Sequence, residues 1–294
     1  MWLILVSLHG LRGPGETSRL LNLVIDGLGN KKMNFAVSTI KNCETKGDGK
    51  MGKRKDCLTL QELNTVQTFA SEQRTALPLM NGVQTMPGFN VLAGADLTGS
   101  MGLLHHAEHP PKILLNSFYY VIGDQVLRFL LTGDNHFDAS ASLASEALDC
   151  GSNWSAYLPP VVVLKVNIMR FARRGGKFLM LHGTADATIP TTASVMYYKM
   201  VQNRMSQEEM DRFLRFYLIP DFGHGHGVFD AGFDALGVLD SWVETGVAPK
   251  DLVVVDNNKK SDGRTQPLCI YPTWPKYKGF GDVNSASSFV CATE

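Results

Sequence analysis

Apolar residues recur with helical spacing at Leu60, Leu63, Val66 and Phe69. Thr59 stands just ahead of them as an N-cap, and Glu62, three residues on, completes a capping box. Residues 117–131 (SFYYVIGDQVLRFLL) are apolar almost throughout and predict a buried helix that ends at Gly133-Asp134. The stretches around these segments, 9–57, 78–111 and 134–165, show little periodicity and read as mostly irregular.

The pattern changes after Arg173-Arg174-Gly175-Gly176. Lys177 to Leu181 (KFLML) is a short, nearly unbroken apolar run, as a strand covered on both faces requires. A helix follows from about Pro190 to Met205, with proline in its first turn. Ser206 and Glu209 form a second capping box, and Leu214 to Ile219 (LRFYLI) reads as the next strand. Phe233, Leu236, Leu239 and Val243 then mark the apolar face of a helix that stops at Gly246. Strand–loop–helix repeated in this way predicts a parallel α/β sheet within residues 166–294.

Asp186 and His224 each fall just past the C-terminal end of a predicted strand, where functional groups of such sheets gather. A carboxylate there can fix an imidazole's tautomer while the imidazole takes a proton from a hydroxyl. The order aspartate before histidine is that of the α/β-hydrolases. A turn aspartate and an unrelated loop histidine satisfy the spacing equally well.

Composition narrows the field. The chain has 294 residues, 28 basic and 28 acidic, with a pI near 7.1, 44% hydrophobic and 19% charged residues. That balance excludes a disordered chain and offers no basic excess for nucleic acid. The single basic run, Lys50 to Lys55, is broken by glycine and reads as a solvated loop. No apolar stretch reaches the roughly 18 residues of a membrane span. Trp2 to Leu8 is apolar but lacks the basic flank and cleavage site of a complete secretory signal. Five cysteines without a CxxC make a cysteine-rich zinc site a poor fit; two disulfides and one thiol, or five thiols, both suit the count.

His182-Gly-Thr-Ala-Asp186-Ala-Thr-Ile-Pro190 and Ile219-Pro-Asp-Phe-Gly-His224 look like the aspartate loop and the histidine loop of the tannase/feruloyl esterase family. Phe233 to Pro249 is similar to the helix that follows, and Gly263 to Pro272, Tyr277 to Asp282 and Ser288 to Cys291 to its closing segment. Cys43 and Asp56-Cys57-Leu-Thr59 resemble part of its lid. The resemblance implies an α/β-hydrolase fold in which residues 1–165 hold a lid-like region after an irregular start, and 166–294 the C-terminal portion. It implies hydrolysis of esters of hydroxylated aromatic acids, such as gallates and ferulates, with Asp186 and His224 as triad members and no cofactor for the chemistry. It also implies the disulfides Cys43–Cys57 and Cys269–Cys291, and a secreted or periplasmic location.

Three departures accompany these matches. The family's Gly-Cys-Ser-x-Gly-Gly nucleophile elbow has no counterpart; Ser100, in Thr98-Gly-Ser-Met-Gly102, comes nearest and reads as a loop serine. The position after the family's catalytic histidine, a disulfide cysteine there, is Gly225 here, which leaves Cys150 as an unpaired thiol. The family's calcium loop is at best echoed by Ile25-Asp-Gly-Leu-Gly-Asn30, too few oxygens for that cation, so the calcium site is expected to be lost. His105 and His109 have chelate spacing, but Pro110-Pro111 opposes a helix there and a lid loop suits them better.

Two readings follow. One is an esterase whose nucleophile is not identifiable in this chain. The other is a non-catalytic or truncated remnant of such an enzyme. An incomplete sheet would expose a strand edge, so self-association through that edge is expected. The expected small-molecule partner is an aromatic ester, with neither nucleic acid nor membrane.

Overall fold

The computed structural model describes residues 67, 70–74, 83–90, 118–138 and 167–293, which fall into two compact units. Residues 72–74, 83–86 and 118–138 belong to one unit; 67, 70–71, 87–90 and 167–293 belong to the other. In the first, strands β1 (Gln73–Arg74) and β2 (Thr85–Met86) pair antiparallel. Helix α1 (Phe118–Gln125) continues as a π-helical segment, Val126–Thr132, and stops at Gly133 in the left-handed conformation, φ 66°. The predicted end is therefore correct, but the helix is not buried all round. Val121 and Asp124 are buried while Phe129 is 61% exposed. Asp124 accepts from Arg128 Nε at 2.8 Å one turn later, so the run's polar residues pair on its inner side. The helix predicted from Thr59, with its stripe at Leu60, Leu63, Val66 and Phe69, lies outside the described residues.

The second unit opens with α2 (Met169–Arg173) and leads into β3 (Phe178–Gly183), α3 (Thr191–Gln202), α4 (Gln207–Asp211) and β4 (Leu214–Ile219). Strands β3 and β4 lie parallel in unbroken register from Phe178↔Leu214 to Gly183↔Ile219. The capping box ahead of α4 forms as predicted: Ser206 Oγ accepts from Glu209 N, and Glu209 Oε2 from Ser206 N at 2.9 Å.

Alternation along these strands separates two cores. Phe178, Met180, Leu214, Phe216 and Leu218 face α2, α3 and α4, packing with Tyr198, Val201, Met205 and Met210. Leu179, Leu181, Tyr217 and Ile219 face the other way, onto Phe229, Val254 and Leu268. Both faces of β3 are thus covered, as its apolar run demanded. Among the described residues, β3 pairs only with β4.

Helix α5 (Ala235–Thr245) covers the second core, capped by Asp234 and ended by Gly246 at φ 70°. The end is as predicted, and the stripe is so in part, with Phe233 and Leu239 packed inward. Leu236 is 77% and Val243 54% exposed, whereas Trp242 is 1% exposed and Ala235, Val238 and Leu239 pack inward. The segment has apolar residues on more than one side, and the largest ring takes the core. Lys177 and Arg215 lie over that ring, 5.5 and 5.4 Å from its centroid.

Strand β5 (Ala231–Gly232), just ahead of α5, forms an antiparallel sheet with β6 (Val253–Asp256) and β7 (Thr265–Pro267) beyond it, with β6 central. A hairpin of β8 (Trp274–Tyr277) and β9 (Phe289–Ala292) closes it. The Cys269–Cys291 disulfide, Cα atoms 5.3 Å apart, ties this hairpin to the segment after β7.

Candidate active site

The loops after β3 and β4 are joined backbone to backbone. Thr184 N donates to Ile219 O at 2.9 Å, Ala185 N to Phe222 O at 3.0 Å, and Asp221 N to Thr184 Oγ1 at 3.2 Å. This approach requires glycine at the end of β3: a Cβ on Gly183 would collide with Phe222 O. Parallel pairing in register places both loops at the same end of the sheet. Asp186 and His224, 38 residues apart, therefore meet as a consequence of the fold.

Asp186 is buried, and both of its oxygens are occupied. Oδ1 accepts from Thr188 N at 2.7 Å and Ile189 N at 2.9 Å, the turn that the Asp-Ala-Thr-Ile sequence makes around its own first residue. Oδ2 takes His224 Nδ1 at 3.0 Å and His182 Nε2 at 3.2 Å. Burial raises the affinity of this carboxyl for a proton, but the His182, Ile189, His224 and Thr188 hydrogen bonds prevail and hold its pKa down at about 2. Asp186 is thus a charged acceptor at any physiological pH.

His224 stands at the rim, its side chain 24% exposed against 7% for Asp186. A carboxylate oxygen facing Nδ1 puts the proton on that nitrogen and leaves the Nε2 lone pair free to accept another. Among the described residues no hydrogen bond reaches Nε2. The next residue, Gly225, has φ 83°, a conformation in which the cysteine absent from this position would be strained.

A second buried carboxylate supports the histidine loop. Asp256 accepts from Asp230 N, Asn258 N and the Arg264 guanidinium, whose Nη2 lies 2.8 Å away. Burial pushes this carboxyl up, and those bonds bring it net below its ordinary range. From this anchor Arg264 donates to Val228 O at 2.9 Å and Asn258 Nδ2 to Gly227 O at 3.1 Å. Neither Asp256 nor Arg264 stood out in the sequence, because only the β5–β6–β7 sheet brings them under the loop. Asp221, three residues before His224, sits at φ 60° with its carboxyl pushed up by burial against an opposing pull from Arg264.

Of the predicted site residues, the structure joins Asp186 with His224 and Cys269 with Cys291. Cys43, Cys57, Ser100, His105, His109, Cys150 and the Asp26–Asn30 segment lie outside the described residues. Among the described residues there is no group of three or more His, Cys, Asp or Glu that could hold a metal, and no helix long and apolar enough to cross a membrane.

Comparison with known proteins bears on the same region. The chain is 32% identical over 245 residues to an uncharacterized esterase of Agrobacterium fabrum, covering 83% of this chain and 44% of that one. It is 35% identical over 130 residues to the mono(2-hydroxyethyl) terephthalate hydrolase of Piscinibacter sakaiensis, covering 43% of this chain and 21% of that enzyme. Among solved structures, feruloyl esterase B from Aspergillus oryzae superposes with a TM-score of 0.65 at 21% identity, covering 94% of this chain and 56% of its own. This chain therefore has the α/β-hydrolase-like fold of such esterases, and spans about half the length of the relatives it matches. The family model for tannase and feruloyl esterase matches residues 22–292, and the chain belongs to that family.

Proposed function

We propose that Asp186 and His224 are the acid–base pair of a carboxylic ester hydrolase acting on esters of hydroxylated aromatic acids of the gallate and ferulate type. The observation that carries this reading is the 3.0 Å contact of His224 Nδ1 with a buried Asp186 carboxylate held ionised, with Nε2 left open at the rim. In that arrangement Nε2 accepts the proton of a serine hydroxyl as its oxygen bonds to the ester carbonyl carbon. The imidazolium, stabilised by Asp186, then protonates the departing alkoxide. Water, deprotonated by the same nitrogen, cleaves the acyl-enzyme and regenerates the serine. Serine and oxyanion hole are supplied by groups outside the described residues. The names of the relatives support the substrate class, since feruloyl and terephthaloyl esters share an aromatic acyl group. The Cys269–Cys291 bond supports an oxidising compartment outside the cytosol.

A second reading has its own support. The sequence lacks a Gly-x-Ser-x-Gly elbow ahead of Asp186, which suits a non-catalytic remnant. One experiment separates the two: labelling with a fluorophosphonate probe, with the modified peptide identified by mass spectrometry, alongside turnover of methyl ferulate and methyl gallate. The esterase reading expects one labelled serine and turnover that falls by about 10³-fold or more in His224→Ala. Neither labelling nor turnover in folded protein would leave the remnant.

A further inference from the structure

Asp186 Oδ2 is shared by two histidines, and the second has a partner of its own. His182, near the end of β3, points Nε2 at Asp186 Oδ2 and at Ile189 O, each 3.2 Å away. Its Nδ1 lies 2.7 Å from the hydroxyl oxygen of Ser194, in the second turn of α3. The imidazole is mostly enclosed, with 10% of its side chain exposed.

The chemistry of these partners determines where the protons are. A carboxylate and a peptide carbonyl can only accept, so Nε2 must carry hydrogen. In the neutral ring Nδ1 is then a lone pair, and among the described residues the Ser194 hydroxyl is the one group at that nitrogen able to donate to it. The donor order runs from Ser194 to His182, from His182 to Asp186, and separately from His224 to Asp186.

From this geometry we infer that Ser194 and His182 are positioning residues for the acid–base pair: the Ser194 hydroxyl holds His182 as the neutral Nε2–H tautomer, and that N–H pins Asp186 Oδ2 so that His224 binds it through Nδ1 and presents Nε2 outward. Ser194 is not a nucleophile here. Its hydroxyl is committed to His182, the other of the two histidines on Asp186 Oδ2.

The arrangement has an electrostatic logic. A neutral donor stabilises the carboxylate without cancelling its charge, which stays available for the imidazolium that His224 becomes during proton transfer. A charged His182 on the same oxygen would compete for that charge. Sequence spacing could not show the link, since His182 and Ser194 are 12 residues apart across a strand, a loop and a helix start.

The inference rests on reading His224 as the base, but its test needs neither substrate nor turnover. Protein labelled with ¹⁵N-histidine is examined by long-range ¹H–¹⁵N correlation at pH 8, with His182→Gln and His224→Gln used to assign the rings among the chain's eight histidines. The wild type should show His182 protonated on Nε2 alone and His224 on Nδ1 alone. In Ser194→Ala the His182 Nδ1 resonance should move to the position of an unbonded lone pair, and His224 should become a mixture of tautomers, while far-UV circular dichroism is unchanged. Ser194→Thr, which keeps the hydroxyl, should restore both patterns. A wild-type His182 protonated on Nδ1 overturns the inference without recourse to any Ser194 variant. So does a Ser194→Ala protein with both ring patterns unchanged. Fluorophosphonate attached to Ser194 would overturn it by a third route, as a free nucleophile cannot be a committed donor.

Discussion

Replacing Asp186 by asparagine tests the central electrostatic feature without reference to catalysis. The carboxyl titrates at about 2 in the fold against 3.8 as an ordinary aspartate, because four N–H donors outweigh its burial. That depression is worth about 2 kcal/mol of folding free energy. The folded value lies below the unfolded one, so this stabilisation is complete above about pH 4 and disappears as pH falls toward 2. Asparagine does not titrate. It also turns its NH₂ toward either the imidazole or the backbone donors, which adds a loss that does not vary with pH. Urea unfolding followed by tryptophan fluorescence, with the disulfide kept oxidised, measures both variants between pH 7 and pH 2.5. The expected result is a wild-type advantage that is constant from pH 7 to about 5 and shrinks by more than 1 kcal/mol below pH 3.8. A difference that stays flat through the acid range would refute the assignment of Asp186 as a strongly ionised, fourfold-bonded carboxylate.

Three further outcomes follow from other parts of the fold. Cys291→Ser removes the crosslink to Cys269, 22 residues earlier, and should lower stability by about 3 kcal/mol, measured by urea unfolding against wild type under non-reducing conditions. Phe216→Ala empties a fully buried site between Tyr198 and Tyr271, whose ring centroids lie 5.5 and 5.2 Å away, and should cost about 3–5 kcal/mol in the same assay. Asp221→Asn should stabilise the protein at neutral pH, because burial pushes this carboxyl up and its ionised form is disfavoured in the fold. Here the sign is opposite to that of Asp186: the wild type loses stability as pH rises above 3.8, so the variant's gain in Tm should fade as pH falls toward that value.

The elements that could be read from sequence are those whose signal is local. β4 runs over Leu214–Ile219 as its apolar run indicated, the Ser206–Glu209 box starts α4, and Gly133 and Gly246 end their helices in the left-handed conformation. Each depends on a few neighbouring residues and on backbone sterics. The face of α5 is legible only in part, through Phe233 and Leu239, because its apolar residues exceed one stripe and the burial of Trp242, with Lys177 and Arg215 over its ring, turns Leu236 and Val243 outward. Two- to four-residue strands such as β5, β6 and β7 carry too little alternation to be seen, and β6 exposes Val253 and Val255 while burying Val254 and Asp256. At the site, Asp186 and His224 were legible through their places after two strands. Asp256 with Arg264, and His182 with Ser194, were not, since each pair meets only after separate elements have packed.

The organisation of those contacts bears on the proposed acid–base chemistry. The four hydrogen bonds to Asp186 come from residues between His182 and His224, and the histidine loop is held by Asn258 and Arg264. The Asp186–His224 geometry is therefore intrinsic to one unit, and the two backbone N–H donors on Oδ1, from Thr188 and Ile189, need no reorganisation when charge develops on the imidazole in the proposed mechanism. Among the described residues His224 Nε2 accepts no hydrogen bond. On the proposed esterase reading, a hydroxyl brought within reach of that nitrogen meets a base already in the required tautomer, so the energetic demand on the nucleophile is placement rather than activation.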